Sequence, residues 1–122
     1  MIGECFYYDT FPNGEHLFVV LAPSLEQKGW FICANITTKR DGADTTCELY
    51  QGEHQELTSP ISVVVYGQAR EFPAPLIQRL TQSQNLPRIG DGLLLRIQRA
   101  ALIDISRMKK KFQNAIRQHL GV

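Results

Sequence analysis

Leu17-Phe18-Val19-Val20-Leu21 and Trp30-Phe31-Ile32-Cys33-Ala34-Asn35-Ile36 decide how this chain folds. Both are short apolar runs rich in β-branched and aromatic residues. Pro12-Asn13-Gly14 turns before the first, Pro23-Ser24 closes it, and Gly29 turns before the second. Only eight residues, Ala22 to Gly29, separate them. That is too few for a crossover helix, so the pair is expected to form an antiparallel hairpin. Further along, Thr45-Thr46-Cys47-Glu48-Leu49-Tyr50 alternates in polarity and Gln51-Gly52-Glu53-His54 turns. Ile61-Ser62-Val63-Val64-Val65-Tyr66 is the most strand-like segment. Its alternation sets Ser62, Val64 and Tyr66, with Gln68, on one mixed face opposite Ile61, Val63 and Val65. Four or five short strands with polar turns predict a small barrel or half-open β-roll over residues 1–87.

The period changes in the last third. Pro73-Ala74-Pro75 opens a short helix, Leu76-Ile77-Gln78-Arg79-Leu80, which residues 82–87 break. Asp91 then stands as a candidate N-cap before a long helical pattern ending at Gly121. Leu94, Ile97, Ala101, Ile105, Met108, Phe112 and Ile116 recur at three- and four-residue steps, with intervening bases largely off that stripe. The expectation is one amphipathic basic helix over 88–122, about 40 Å long at 1.5 Å per residue. A helix of that length overhangs a small barrel, so it would dock on the barrel or on a partner, including a second copy.

Composition bounds the answer without naming a function. The chain has 122 residues, 43% hydrophobic and 20% charged, which suits a single domain with one core. Cys5, Cys33 and Cys47 make an odd count without C-x-x-C spacing, which speaks against a disulfide scaffold, a zinc ribbon or a thioredoxin-type site. Cys33 reads as a small buried hydrophobe in its strand. Met1-Ile2-Gly3-Glu4-Cys5 lacks a signal-peptide pattern, and the longest apolar runs fall far short of the roughly 18 residues that span a bilayer. Reduced thiols, a cytoplasmic location and no membrane association are the expectations.

The net charge of +1 conceals an asymmetry. Residues 1–87 carry five bases against ten acids, a balance of −5, and residues 88–122 carry eight bases against two acids, a balance of +6. The tail either docks on an acidic body or attracts a polyanion such as RNA.

Three segments resemble the PemK/MazF group of bacterial toxins. His16-Leu17-Phe18-Val19-Val20-Leu21 is similar to that family's second strand, and Trp30 to Thr38 to the next, which ends in an Ile-Thr-Ser/Thr element. Ser62-Val63-Val64-Val65-Tyr66 resembles the later strand that precedes a helix. The resemblance covers roughly residues 3–85 and implies a mainly β fold with C-terminal α: an SH3-like β-barrel, then a short helix and the long basic helix. It further implies a dimeric, metal-independent endoribonuclease acting on single-stranded RNA and neutralised by an antitoxin protein. No cofactor is implied. Thr37 falls on the family's active-site threonine, whereas His16 stands where the family has an arginine.

Such cleavage needs a base for the 2′-OH, an acid for the leaving 5′ oxygen, and donors for the phosphorane charge. Histidine suits the first two roles at working pH. His16 begins a strand and His54 lies in a turn, both rim positions. The expectation is therefore His16 and His54 as base and acid, with Thr37 and Arg40 on the scissile phosphate. Thr38, Lys39, Arg40, Ser62 and Tyr66 are the expected RNA-binding residues. Tyr7, Tyr8, Phe11 and Trp30 can stack unpaired bases but more often build core. A metal site from Cys47, His54 and His16 lacks a standard ligand spacing. The competing reading is a non-catalytic barrel that pairs with another protein through its helix. A DNA-binding role is third, because residues 82–91 are too long and proline-bearing for a helix-turn-helix.

Overall fold

The computed structural model describes residues 1–122. Five strands form one antiparallel sheet: β1 (Cys5–Asp9), β2 (Glu15–Pro23), β3 (Trp30–Thr38), β4 (Glu48–Tyr50) and β5 (Ile61–Pro73). Their order is β1-β2-β3-β5-β4, so β1 and β4 are edges and no ladder joins them. The central hairpin expected from sequence is present, with Leu17 opposite Ile36 and Val20 opposite Cys33. Three helices follow: α1 (Ala74–Gln84), α2 (Asp91–Ala100) and α3 (Lys110–Leu120).

Two irregularities shape the sheet. The β2–β3 register shifts between Val20 and Ala22, a bulge that turns Leu21 and Ala22 into the same core cluster. Gln98 of α2, itself buried, donates its amide N–H to the Leu21 carbonyl at 2.8 Å. The bulge therefore leaves no orphan acceptor at that carbonyl. The second irregularity lies in β5. Cys33 pairs with Arg70 but Asn35 with Val65, so residues 66–69 bow out against Ala34 alone.

The core has two parts. Leu17, Val19, Leu21, Ile32, Ala34, Val64 and Tyr66 line one sheet face, where α2 and α3 cover them with Leu94, Ile97, Phe112 and Ile116. On the other face α1 packs over β1 and the end of β5, burying Phe6, Phe18, Val20, Cys33, Phe72 and Ile77. α1 also guards the β1 edge: the Gln84 side chain accepts the Tyr7 N–H at 2.6 Å and donates to the Tyr7 carbonyl at 2.8 Å.

The long C-terminal helix is not formed. Residues 101–109 turn the chain, and Gln113 of α3 donates to the Ala101 carbonyl at 2.9 Å, fastening the two helices together. The apolar stripe explains both the expectation and its failure. Leu94, Ile97, Ala101, Met108, Phe112 and Ile116 are all buried, but Ile105 at the break is 73% exposed. Two shorter helices, of ten and eleven residues, take the place of the long one, and both lay their apolar sides on the same sheet face. Residues 1–87 and 88–122 share one core. No helix is long and apolar enough to cross a membrane.

The tail packs on the body through the shared core, and two ion pairs cross between them. Arg96 forks onto Glu53 with N···O distances of 2.7 and 2.8 Å, and Lys111 lies 3.6 Å from Glu26. The Arg96 guanidinium holds the Glu53 carboxyl below the usual carboxylate range. Glu53 therefore ionises more readily folded than unfolded. Its contribution to stability is present above the ordinary carboxylate range and is lost as pH falls through the lowered value. Thermal melts should show the gap between wild type and Arg96→Ala narrowing from neutral pH to about pH 3, a modest effect because the pair is part-exposed.

Candidate functional site

A cleft of about 320 Å³ opens at one end of the sheet. β2 contributes His16, β3 contributes Thr37 and Thr38, the start of β5 contributes Ser62, and Arg40 stands just beyond β3. Register gathers them. Leu17 pairs with Ile36, which sets His16 across from Thr37, and Thr38 pairs with Ser62. The loop over 51–60 forms the opposite wall with Glu56, Leu57, Thr58 and Ser59, and the Thr38 and Ser59 hydroxyls are 2.9 Å apart.

His16 is half-buried, and its Nε2 lies 3.1 Å from the Asn13 carbonyl. A carbonyl can only accept, so Nε2 carries the proton, and Nδ1, which has no protein partner, is left as an acceptor. Two carboxylates share the cleft, Glu15 and Glu56. Glu56 accepts a hydrogen bond from the Tyr7 hydroxyl at 2.9 Å. Burial first, then this carboxylate, pushes the Tyr7 phenol up to about 12. Tyr7 is thus a fixed donor to Glu56 and no proton source near neutrality. Arg40 forms no ion pair.

The remaining expected residues lie elsewhere. His54 is buried outside the cleft; its Nε2–H donates to the Pro87 carbonyl at 2.7 Å and its Nδ1 accepts the Glu56 N–H at 3.1 Å. Nε2 thus ties the 51–60 loop to the segment before α2, Nδ1 closes a turn within the loop, and neither is free for acid–base work. Tyr66, expected on an RNA-facing surface, is fully buried, and its hydroxyl donates to the Ile97 carbonyl at 2.7 Å. The face it shares with Val64 is the one α2 covers. Lys39 points away from the cleft to Glu48, 2.7 Å distant. All three cysteines are free and buried; burial pushes the Cys5 thiol up to about 12 and raises Cys33 and Cys47 as well, so each stays a weakly reactive thiol. Cys47, His54 and His16 do not come together, and no three His, Cys, Asp or Glu side chains are grouped to hold a metal ion.

Sequence reasoning missed Glu56, Ser59 and the role of Tyr7. The polar run over 53–59 was the available signal, since it precedes the strand that supplies Ser62. The structure also makes a prediction for His54. His54→Ala leaves the Pro87 carbonyl and the Glu56 N–H unpaired, and should lower unfolding free energy by about 2–3 kcal/mol in urea titrations.

No protein-family model matches this chain, and no curated protein matches it significantly.

Proposed function

We propose that the cleft binds single-stranded RNA and cleaves it by attack of a ribose 2′-OH on the adjacent phosphate, as in the PemK/MazF-like toxins that the strand motifs resemble. The observation that carries this reading is the register that sets His16 across from Thr37 beside the unpaired Arg40. In the proposed reaction His16 Nδ1 takes the 2′-OH proton while the new P–O2′ bond forms. Arg40 and the Thr37 hydroxyl hold the phosphate oxygens as charge builds on them. The P–O5′ bond then breaks and the leaving oxygen takes a proton from water in the open cleft. The products are a 2′,3′-cyclic phosphate and a 5′-hydroxyl. Asn13 is a positioning residue, because its carbonyl fixes which imidazole nitrogen is free.

The open antiparallel sheet with a bent β5 fits a half-open form of the SH3-like barrel, and that finer assignment belongs to the same proposal. So do a cytoplasmic setting, pairing of two copies and a neutralising antitoxin-like partner. One observation favours the non-catalytic alternative: Glu15 and Glu56 both face the cleft, and like charge repels a polyanion. End-labelled, long single-stranded RNA in excess EDTA separates the two. The nuclease reading expects fragments ending in 2′,3′-cyclic phosphate. RNA left intact across a wide range of sequences contradicts it and favours the interaction module.

A further inference from the structure

A groove leads away from the cleft across the sheet face that α2 and α3 do not cover. Thr37, Thr38 and Arg40 line both the cleft and a second cavity of about 450 Å³, whose far walls include Gln68 and Arg107. Gln68 in turn borders a third cavity of about 330 Å³ with Asn35 and Arg70. Arg107 comes from the turn between α2 and α3, so the fold brings one charge of the basic tail beside the cleft.

Two features of this groove point to a ligand. The first is charge: Arg40, Arg70 and Arg107, one at each stage, make no ion pair and no hydrogen bond within the chain. Arg70 lies beside an aromatic cluster, its guanidinium carbon 6.0 Å from the centroids of Tyr8 and Phe18 and 5.9 Å from that of Phe72. The contact is a cation–π one and leaves the N–H groups of the fork unused. The second is Asn35. It is 2% exposed, its Nδ2 donates to Gln68 Oε1 at 3.4 Å, and its Oδ1 has no partner. A buried amide oxygen without a donor is costly, and it fits a ligand that brings an N–H. Two acids, Asp41 and Asp44, also line the second cavity and oppose this; Asp44 Oδ1 accepts from the Thr46 N–H and hydroxyl, and its Oδ2 has no partner.

We infer that the groove is a track for the same RNA strand beyond the cleaved bond, with phosphates on Arg107 and Arg70 and one base read by the Asn35–Gln68 amide pair. This rests on the ribonuclease reading of the cleft and names what extends it. Arginines along a groove hold the backbone without regard to sequence, whereas paired amides match the donor–acceptor edge of a base. The cleft performs the chemistry, and the groove sets affinity and base preference.

The test is a titration of a labelled single-stranded RNA dodecamer, 2′-O-methylated so that it cannot be cut, over a range of salt concentrations. Arg70→Ala/Arg107→Ala should weaken binding at least roughly tenfold and flatten the slope of log affinity against log salt by about 1.4, the loss of two phosphate contacts on a single strand. The same variant should cut an unmodified dinucleotide, too short to leave the cleft, at the wild-type rate. Gln68→Ala should change the ranking of the four homopolymers and leave the salt slope as it was. A double variant with wild-type affinity and slope, in a protein that does cleave RNA, overturns the groove and spares the cleft. Loss of dinucleotide cleavage in the double variant also overturns it, since the arginines then act in the cleft or in the fold. A wild type that neither binds the dodecamer nor cuts RNA overturns both readings.

Discussion

Phe18→Ala is expected to lower the unfolding free energy by about 3–5 kcal/mol, a large part of the roughly 5–15 kcal/mol that holds a domain together. Phe18 is buried at the centre of the smaller core cluster. It stacks on Phe6 with ring centroids 5.8 Å apart and meets Phe72 edge-on at 5.1 Å and Tyr8 at 6.3 Å. That cluster has six buried residues, so few neighbours remain to collapse into the void. β2 is an internal strand, paired to β1 and β3 on its two sides, which hinders the backbone from closing the gap instead. Urea titration should show a lower midpoint with little change in slope. Phe11→Ala is the contrast: at 87% exposure its loss should stay within about 0.5 kcal/mol. Equal costs at the two positions would contradict the burial argument.

His16→Ala is expected to reduce RNA cleavage by about 100- to 10,000-fold, the usual worth of a positioned general base. The side chain is half-buried at the start of β2 and makes one hydrogen bond, to the Asn13 carbonyl, so the variant should fold as the wild type does. The loss should appear in the rate of the cut and not in RNA affinity, because Arg40 and Thr37 remain to hold the phosphate. A variant that binds RNA far more weakly but cuts saturating RNA at the normal rate would make His16 a binding group instead.

Much of the sheet was legible because period-two patterning and short connections are local. The eight residues between the two apolar runs, six of them in the link between β2 and β3, permit only a hairpin, and its register then sets His16 across from Thr37. The C-terminal half misled for an equally physical reason. The step from Ala101 to Met108 is seven residues, which keeps the stripe in phase across a turn containing neither Gly nor Pro. Only the exposed Ile105 betrays the break, and exposure is a tertiary property. His54 sits in a turn that reads as solvent-facing, yet its partner, the Pro87 carbonyl, is 33 residues away. No local pattern encodes that bond. Val64 and Tyr66 share a face as the alternation reads, while Gln68, within the bowed 66–69 segment, joins Val63 and Val65 on the other. That helices cover the Tyr66 face depends on where α2 returns.

The most direct test compares three proteins side by side on one labelled single-stranded RNA in excess EDTA: wild type, His16→Ala and His54→Ala, each normalised to its folded fraction. The account predicts that His54→Ala cuts like the wild type per folded molecule while His16→Ala is at least about 100-fold slower. Normal cutting by His16→Ala alongside an inert, folded His54→Ala would contradict it and move the chemistry out of the cleft.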